Sequence, residues 1–328
     1  MRHLPLDLDL IQDAAARLHG HALVTPLLRH DGLDRLVGGR VFLKAENLQH
    51  IGAFKFRGAY TALSRIDEDL RAKGVVAWSS GNHAQGVAMA ARTFGVPATI
   101  VMPHDAPTAK REATLALGAE VVGYDRATED RQEIATAISN EGGQAKIAPY
   151  DDIDVMSGQG TVGLEIVEQL SAAGHVADQV LVPCGGGGLT AGLSTAMKAL
   201  SAKTRILTVE PEGFDDTRRS LAAGHRHQNP STTGSICDAL LAPTPGELTF
   251  DVNRKSVSEG VTVSDADVAR AMRFGFHALK LVLEPGGAIA LAALLNGSVE
   301  TKGRTSVAVL SGGNADAELF ADVLAGKI

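Results

Sequence analysis

The sequence predicts an α/β fold, a parallel sheet with helices on both faces, on two observations. The first is alternation. Short apolar runs at Val41–Lys44, Val75–Trp78, Ala98–Met102, Glu120–Val122, Gln179–Pro183, Arg205–Val209 and Ser306–Leu310 read as strands. Helical patterns at Asn82–Phe94, Thr108–Leu117, Asp130–Asn140 and Leu189–Leu200 lie between them, the spacing of β–α–β units. The second is placement. Glycine-bearing segments sit where several of these strands should end, and open α/β sheets bind ligands at the carboxyl ends of their strands. At 328 residues and 45% hydrophobic content the chain can supply one large or two medium cores. No Pro/Ser-rich linker divides it, so two domains would be interleaved along the sequence.

Composition narrows the function. The formal net charge is −7, and no block of about five like charges occurs, which argues against nucleic acid as a partner. The start, MRHLPLDLDLIQDAAARL, alternates Leu with Asp and carries no apolar signal region. No stretch approaches the roughly 18 consecutive apolar residues of a membrane span, so a cytoplasmic protein without membrane contact is expected. Cys184 and Cys237 show no metal spacing and read as buried, reduced thiols.

Three segments carry the chemistry. In DQVLVPCGGGGLTAG (178–192) a strand runs into Gly185, Gly186, Gly187 and Gly188, then into a helix. Four glycines cost backbone entropy, and a chain accepts that where its backbone must approach something closely. Backbone N–H groups at such a helix start cradle a phosphate. The GK[ST] of a triphosphate-binding loop is missing. In ENLQHIGAFKFRGAY (46–60) Lys55 stands between two phenylalanines and close to Arg57. Such surroundings should weaken its charged form, and a desolvated lysine is the kind that forms Schiff bases. Beside a phosphate cradle, and with no rival nucleophile, that role outweighs an ordinary solvated lysine. In WSSGNHAQ (78–85) Ser80, Asn82 and His83 open a helix, where an anion such as an amino-acid carboxylate is favoured, although simple N-capping explains Ser and Asn equally well. SGQGTVG also matches G-x-G-x-x-G at Gly158, Gly160 and Gly163. The DDIDVMS before it is too polar for the strand a dinucleotide site needs, so NAD is rejected.

These motifs, in this order from Thr25-Pro26-Leu27 to the SGGN of Ser311–Asn314, resemble the fold-type II pyridoxal-5'-phosphate (PLP) enzymes. Within them the resemblance is to the serine/threonine dehydratase and serine racemase group, over nearly the whole chain. It implies two interleaved open α/β domains of the tryptophan synthase β-like type: a large PLP-binding domain of residues 1–73 and 149–328, and a small mobile domain of residues 74–148. It implies that Lys55 carries the cofactor and moves the Cα proton, that Phe54 packs beside the ring, and that Asn82 bonds its phenolic oxygen. Gly185 to Gly188 with the Leu189 amide would hold the phosphate, and Ser311 would meet the pyridine nitrogen. A serine there leaves the ring neutral and a milder electron sink. Ser79, Ser80 and His83 would line the substrate carboxylate pocket.

Within the group, EPEGFDD resembles the divalent-metal loop of racemase-like members, with Glu210, the Phe214 carbonyl and Asp216 as ligands for Mg²⁺, or Ca²⁺ or Mn²⁺. Without the resemblance it would read as an acidic surface turn. GAFKFRGA, with alanine where many threonine dehydratases have serine, resembles serine racemases and 3-hydroxyaspartate dehydratases. Ser80 would then be an acid/base opposite Lys55, and Arg131 would reach a second carboxylate or stand as an exposed helix residue. The sequence departs from the pattern at Ala148-Pro149-Tyr150, where His-Pro is common, and at Ala84. It stops at Ile328 without room for an isoleucine-binding regulatory domain, so feedback control is not expected. The implied activity is an ammonia-lyase acting on L-serine, L-threonine or 3-hydroxyaspartate, in a homodimer. A racemase and a non-catalytic amino-acid or PLP sensor are the alternatives. Visible cofactor colour separates the enzymes from an empty sensor.

Overall fold

A computed structural model describes residues 5–328 apart from Ser80 and Pro107. Its strands are β1 (Leu27–Arg29), β2 (Arg40–Lys44), β3 (Val75–Trp78), β4 (Ala98–Pro103), β5 (Glu120–Tyr124), β6 (Ala145–Lys146), β7 (Gln179–Pro183), β8 (Arg205–Pro211), β9 (Glu259–Val263) and β10 (Thr305–Val309). They form two sheets, one of six strands in the order β1-β2-β10-β7-β8-β9 and one of four in the order β5-β4-β3-β6. All pairings are parallel except β1 with β2. The smaller sheet takes its strands from the stretch Val75–Lys146, and the larger sheet from both sides of it.

Each strand expected from sequence forms, because parallel strands covered on both faces must be apolar throughout. Val75–Trp78 and Gln179–Pro183 are buried at every position. Helices close both faces. Pro285–Leu295, read from sequence as no element, is a helix with Pro at its first turn. It packs into the core with Leu43, Leu181, Leu207 and Val209. The glycines of SGQGTVG lie inside a helix, Ile153–Ala172, whose start is capped by Asp152. A Cβ at Gly158 would fall 2.5 Å from the Arg57 carbonyl, and one at Gly163 2.8 Å from the Leu193 carbonyl. They are small so that helices can touch, which is a packing reason and not a nucleotide one.

The strand ends converge. β2 leads to Glu46 and Lys55, β3 to Ser79 and Asn82, β7 to the four glycines, and β10 to Ser311. No helix among the described residues is long and apolar enough to cross a membrane.

Candidate active site

One cleft brings together Phe54, Lys55, Ser79, Asn82, His83, Arg131, Gly185 to Gly188, Leu189 and Ser311, drawn from both sheets' connections. Ser80 lies outside the described residues. Glu210, Phe214 and Asp216 do not line this cleft; they group at the end of β8.

Lys55 begins the helix Lys55–Arg65, and its amine is buried in the cleft wall. Its Nζ donates to the Pro149 carbonyl at 2.6 Å and sits 5.3 Å from the centroid of the Phe54 ring. Burial, with no carboxylate against it, lowers its pKa to about 8. The sequence reading gave part of that effect to Arg57, and the structure corrects this. Arg57 turns away into the core and is neutralised by Glu46 and Glu165 at 2.8 and 2.6 Å.

The glycine turn is built to present N–H groups. Thr249 Oγ1 donates to the Gly186 carbonyl at 2.7 Å, and Asn253 Nδ2 to that of Gly187 at 3.2 Å. With those carbonyls engaged, the free N–H groups at the start of the helix Gly188–Leu200 are left for a ligand. Gly187 has φ +92°, in the left-handed region that favours glycine. A Cβ on Gly186 would lie 2.4 Å from the Tyr150 ring, so no side chain fits between loop and cleft. Thr249 and Asn253, four apart on the buried face of one helix, escaped the sequence reading. Their signal was a pair of polar residues on that buried face.

Asn82 is fixed on both sides. Its Oδ1 accepts from Asn314 Nδ2 at 2.8 Å, and its Nδ2 donates to Glu284 Oε1 at 2.6 Å, which leaves one N–H unused. Glu284, also missed from sequence, is buried, and burial pushes its carboxyl up to about 7. Ser311 Oγ donates weakly, at 3.4 Å, to the Gly286 carbonyl and borders the cleft. His83 Nε2 lies 3.1 Å from the Ile147 carbonyl, which can only accept, so Nε2 carries the proton and Nδ1 is a bare acceptor. Burial, helped by the charge of Lys55, drops its pKa to about 3, so the ring is neutral at physiological pH.

A buried amine, a backbone phosphate cradle and a fixed amide together fit PLP, which needs an imine-forming lysine and an anion site. The loop EPEGFDD supplies two buried carboxylates. Glu210 accepts from the Thr217 and Arg218 amides at 2.8 Å each, and Asp216 Oδ1 accepts from Asn229 at 2.7 Å while Oδ2 has no partner. Burial, then repulsion from Asp216, holds Glu210 well above the usual carboxylate range, and burial raises Asp216 to about 7. No cluster of three or more His, Cys, Asp or Glu suited to a metal occurs among the described residues. Cys184 and Cys237 are buried and unpaired, with burial raising both thiols.

The chain is 45% identical over 318 residues to an L-threo-3-hydroxyaspartate ammonia-lyase of Pseudomonas sp, covering 97% of this chain and 98% of that protein. It superposes on maize serine racemase with a TM-score of 0.92 at 37% identity, covering 99% and 98% of the two chains. With a threonine deaminase from Solanum lycopersicum (isoform 2, processed form) the TM-score is 0.90 at 33% identity, covering 99% and 91%. Residues 18–312 match the family described as pyridoxal-phosphate dependent enzyme, so the chain belongs to that family.

Proposed function

We propose that the chain is a PLP-dependent ammonia-lyase that converts a small β-hydroxy amino acid to a 2-oxo acid and ammonia. The observation that carries this is the buried Lys55 amine, unpaired by any carboxylate, in the same cleft as the glycine turn and Asn82. Similarity to a 3-hydroxyaspartate ammonia-lyase along almost the whole of both chains favours an acidic substrate.

PLP, when bound, supplies an electron sink that stabilises negative charge at the substrate Cα. The residues divide the remaining work. The Gly185–Gly188 and Leu189 amides would hold the phosphate, and the free Nδ2 hydrogen of Asn82 would be available to the phenolic oxygen. Phe54 and the Ser311 hydroxyl, which also line the cleft, would hold the ring. Lys55, neutral in an appreciable fraction near pH 8, accepts the Cα proton on Nζ, the β-hydroxyl takes up a proton as it departs as water, and the enamine so released adds water to give the 2-oxo acid and ammonia. The neutral His83 ring cannot pair with a carboxylate. The substrate carboxylate is instead held by the unshared backbone amides that open the helix Asn82–Phe94, beside the Ser79 hydroxyl. Residues 74–148 close as a small domain on the rest and exclude water.

The pair Glu210 and Asp216, with the Phe214 carbonyl, would hold Mg²⁺ or Ca²⁺. Two crowded buried carboxylates, one with an idle oxygen and neither in an ion pair among the described residues, are a hard-oxygen donor set. A homodimer and a cytoplasmic location complete the proposal, the first checked by sedimentation. A racemase reading draws on the likeness to maize serine racemase and would use Ser80 as the second proton carrier.

The test loads purified protein with PLP and Mg²⁺ and records its visible spectrum. It then measures 2-oxo acid and ammonia from L-serine, L-threonine and both 3-hydroxyaspartate diastereomers, with Lys55→Ala as control. Colour plus 2-oxo acid, both lost in Lys55→Ala, supports the lyase. Colour with chiral inversion and no 2-oxo acid replaces it with the racemase, and absence of colour sinks both.

A further inference from the structure

The cleft holds more positive charge than one α-carboxylate requires. Besides Lys55, it is lined by Lys110 and Arg131, both from the connections of the smaller sheet. Lys110 lies on the helix Thr108–Ala116, and its Nζ donates to Asp238 Oδ2 at 2.5 Å. Asp238 belongs to the larger sheet's connections and lines the same cleft, so this ion pair bridges the two α/β units across the opening. The partners are unlike in burial: 17% of the Lys110 side chain is exposed against 60% of Asp238. The pair also sits near the cofactor end of the cleft, because both charges are felt by Glu284, which is bonded to Asn82. Arg131 makes no ion pair among the described residues, and its charge is felt by Tyr150 beside the glycine turn. Lys110 is thus paired across the cleft, while Arg131 lines it without an ion pair among the described residues.

We infer that Lys110 is a specificity-determining residue that binds the side-chain carboxylate of an acidic β-hydroxy amino acid, taking it in exchange for Asp238. Three features support the exchange. A half-sheltered ammonium strengthens its bond to an anion, whereas an exposed carboxylate leaves for water at small cost. Asp238 already shows that a carboxylate fits against Lys110 on the cleft wall. The α-carboxylate has its own place at the start of the helix Asn82–Phe94, so Lys110 is free for a second one. A neutral substrate such as serine carries no anion to displace Asp238. Discrimination thus arises from a charge satisfied only by the acidic substrate.

This inference rests on the proposed lyase reading, and two measurements separate their failures. The first compares kcat/KM for L-threo-3-hydroxyaspartate and L-serine in PLP-loaded wild type, Lys110→Met, Lys110→Arg and Asp238→Asn. The ratio of acidic to neutral substrate should fall about thirtyfold in Lys110→Met, chiefly through KM. It should recover in part in Lys110→Arg and rise several-fold in Asp238→Asn. The second titrates the same proteins with succinate, a dicarboxylate without an amine, by calorimetry. Its affinity should fall at least tenfold in Lys110→Met and increase in Asp238→Asn. Equal losses on both substrates, with succinate affinity unchanged, would reduce the pair to a tie between the two units and overturn the inference. If wild type forms no 2-oxo acid from either substrate, the lyase reading fails, and succinate affinity alone then decides for or against Lys110.

Discussion

Lys44 and Lys55 both carry sheltered amines, stand eleven positions apart, and have opposite surroundings. Lys44 ends β2 with Nζ 2.5 Å from Glu165, 2.7 Å from the Thr25 carbonyl and 3.0 Å from Gln169. Its neighbour Arg57 holds Glu46 through two bonds of 2.8 Å and Glu165 at 2.6 and 3.0 Å. In that cluster every charge has an opposite charge, and the attraction of its two carboxylates keeps Arg57 above its ordinary pKa despite burial. Lys55 has only a carbonyl and an aromatic face, and nothing offsets its desolvation. Burial lowers the pKa of both amines, but at Lys44 the attraction of Glu165 and Glu46 opposes that shift, and at Lys55 nothing does. The paired region holds the start of the Lys55 helix in place, and the unpaired one is where chemistry becomes possible.

Removing a partner from the first region should have the largest effect on stability. Arg57→Ala leaves Glu46 and Glu165 without their shared cation and should cost about 3–5 kcal/mol of unfolding free energy, read by urea denaturation. A loss under about 1 kcal/mol would mean the cluster is not a structural anchor. Removing the lysine of the second region should act the other way round. Lys55→Ala should lower 2-oxo acid formation by at least about 10⁴-fold, the upper range of acid–base catalysis. It should change the stability of cofactor-free protein by less than about 1 kcal/mol, since the lost amine had no ionic partner. A large stability loss there would erase the contrast. The carboxylate pair at the end of β8 extends the comparison to anions. Saturating Mg²⁺ or Ca²⁺ should raise Tm by roughly 5 °C, and Asp216→Asn should abolish the rise. No shift in wild type would leave Glu210 and Asp216 as buried acids only.

The sequence revealed features whose chemistry is local. Parallel strands covered on both faces read directly as apolar runs, so β3 and β7 were found with the bounds they have. The edge and two-residue strands were not: β6 is Ala145–Lys146, and β9 reads EGVTV with only Val261 and Val263 buried. The helix Ile153–Ala172 was hidden by its polar opening, which is too polar for a strand because Asp152 caps a helix there. In the cleft, four glycines in a row and a lysine between phenylalanines were conspicuous in one stretch of chain. Glu284 was not, because its partner Asn82 lies 202 residues away, nor was Lys110, which meets Asp238 across 128. Such residues acquire meaning only when folding brings them together. Arg57 was misjudged for the same reason, its proximity to Lys55 in sequence being no guide to where its charge is spent.

The most direct test of the contrast is the pH dependence of PLP uptake by cofactor-stripped protein, followed by visible absorbance in stopped flow. Only the neutral amine attacks the cofactor's aldehyde, so the rate reports the proton on Lys55. With a pKa lowered to about 8, the rate should climb about tenfold per pH unit below that point and level off above it. A rate that keeps climbing towards about pH 10.4, as a solvated lysine would give, would contradict the claim that burial without a counter-charge is what makes Lys55 reactive.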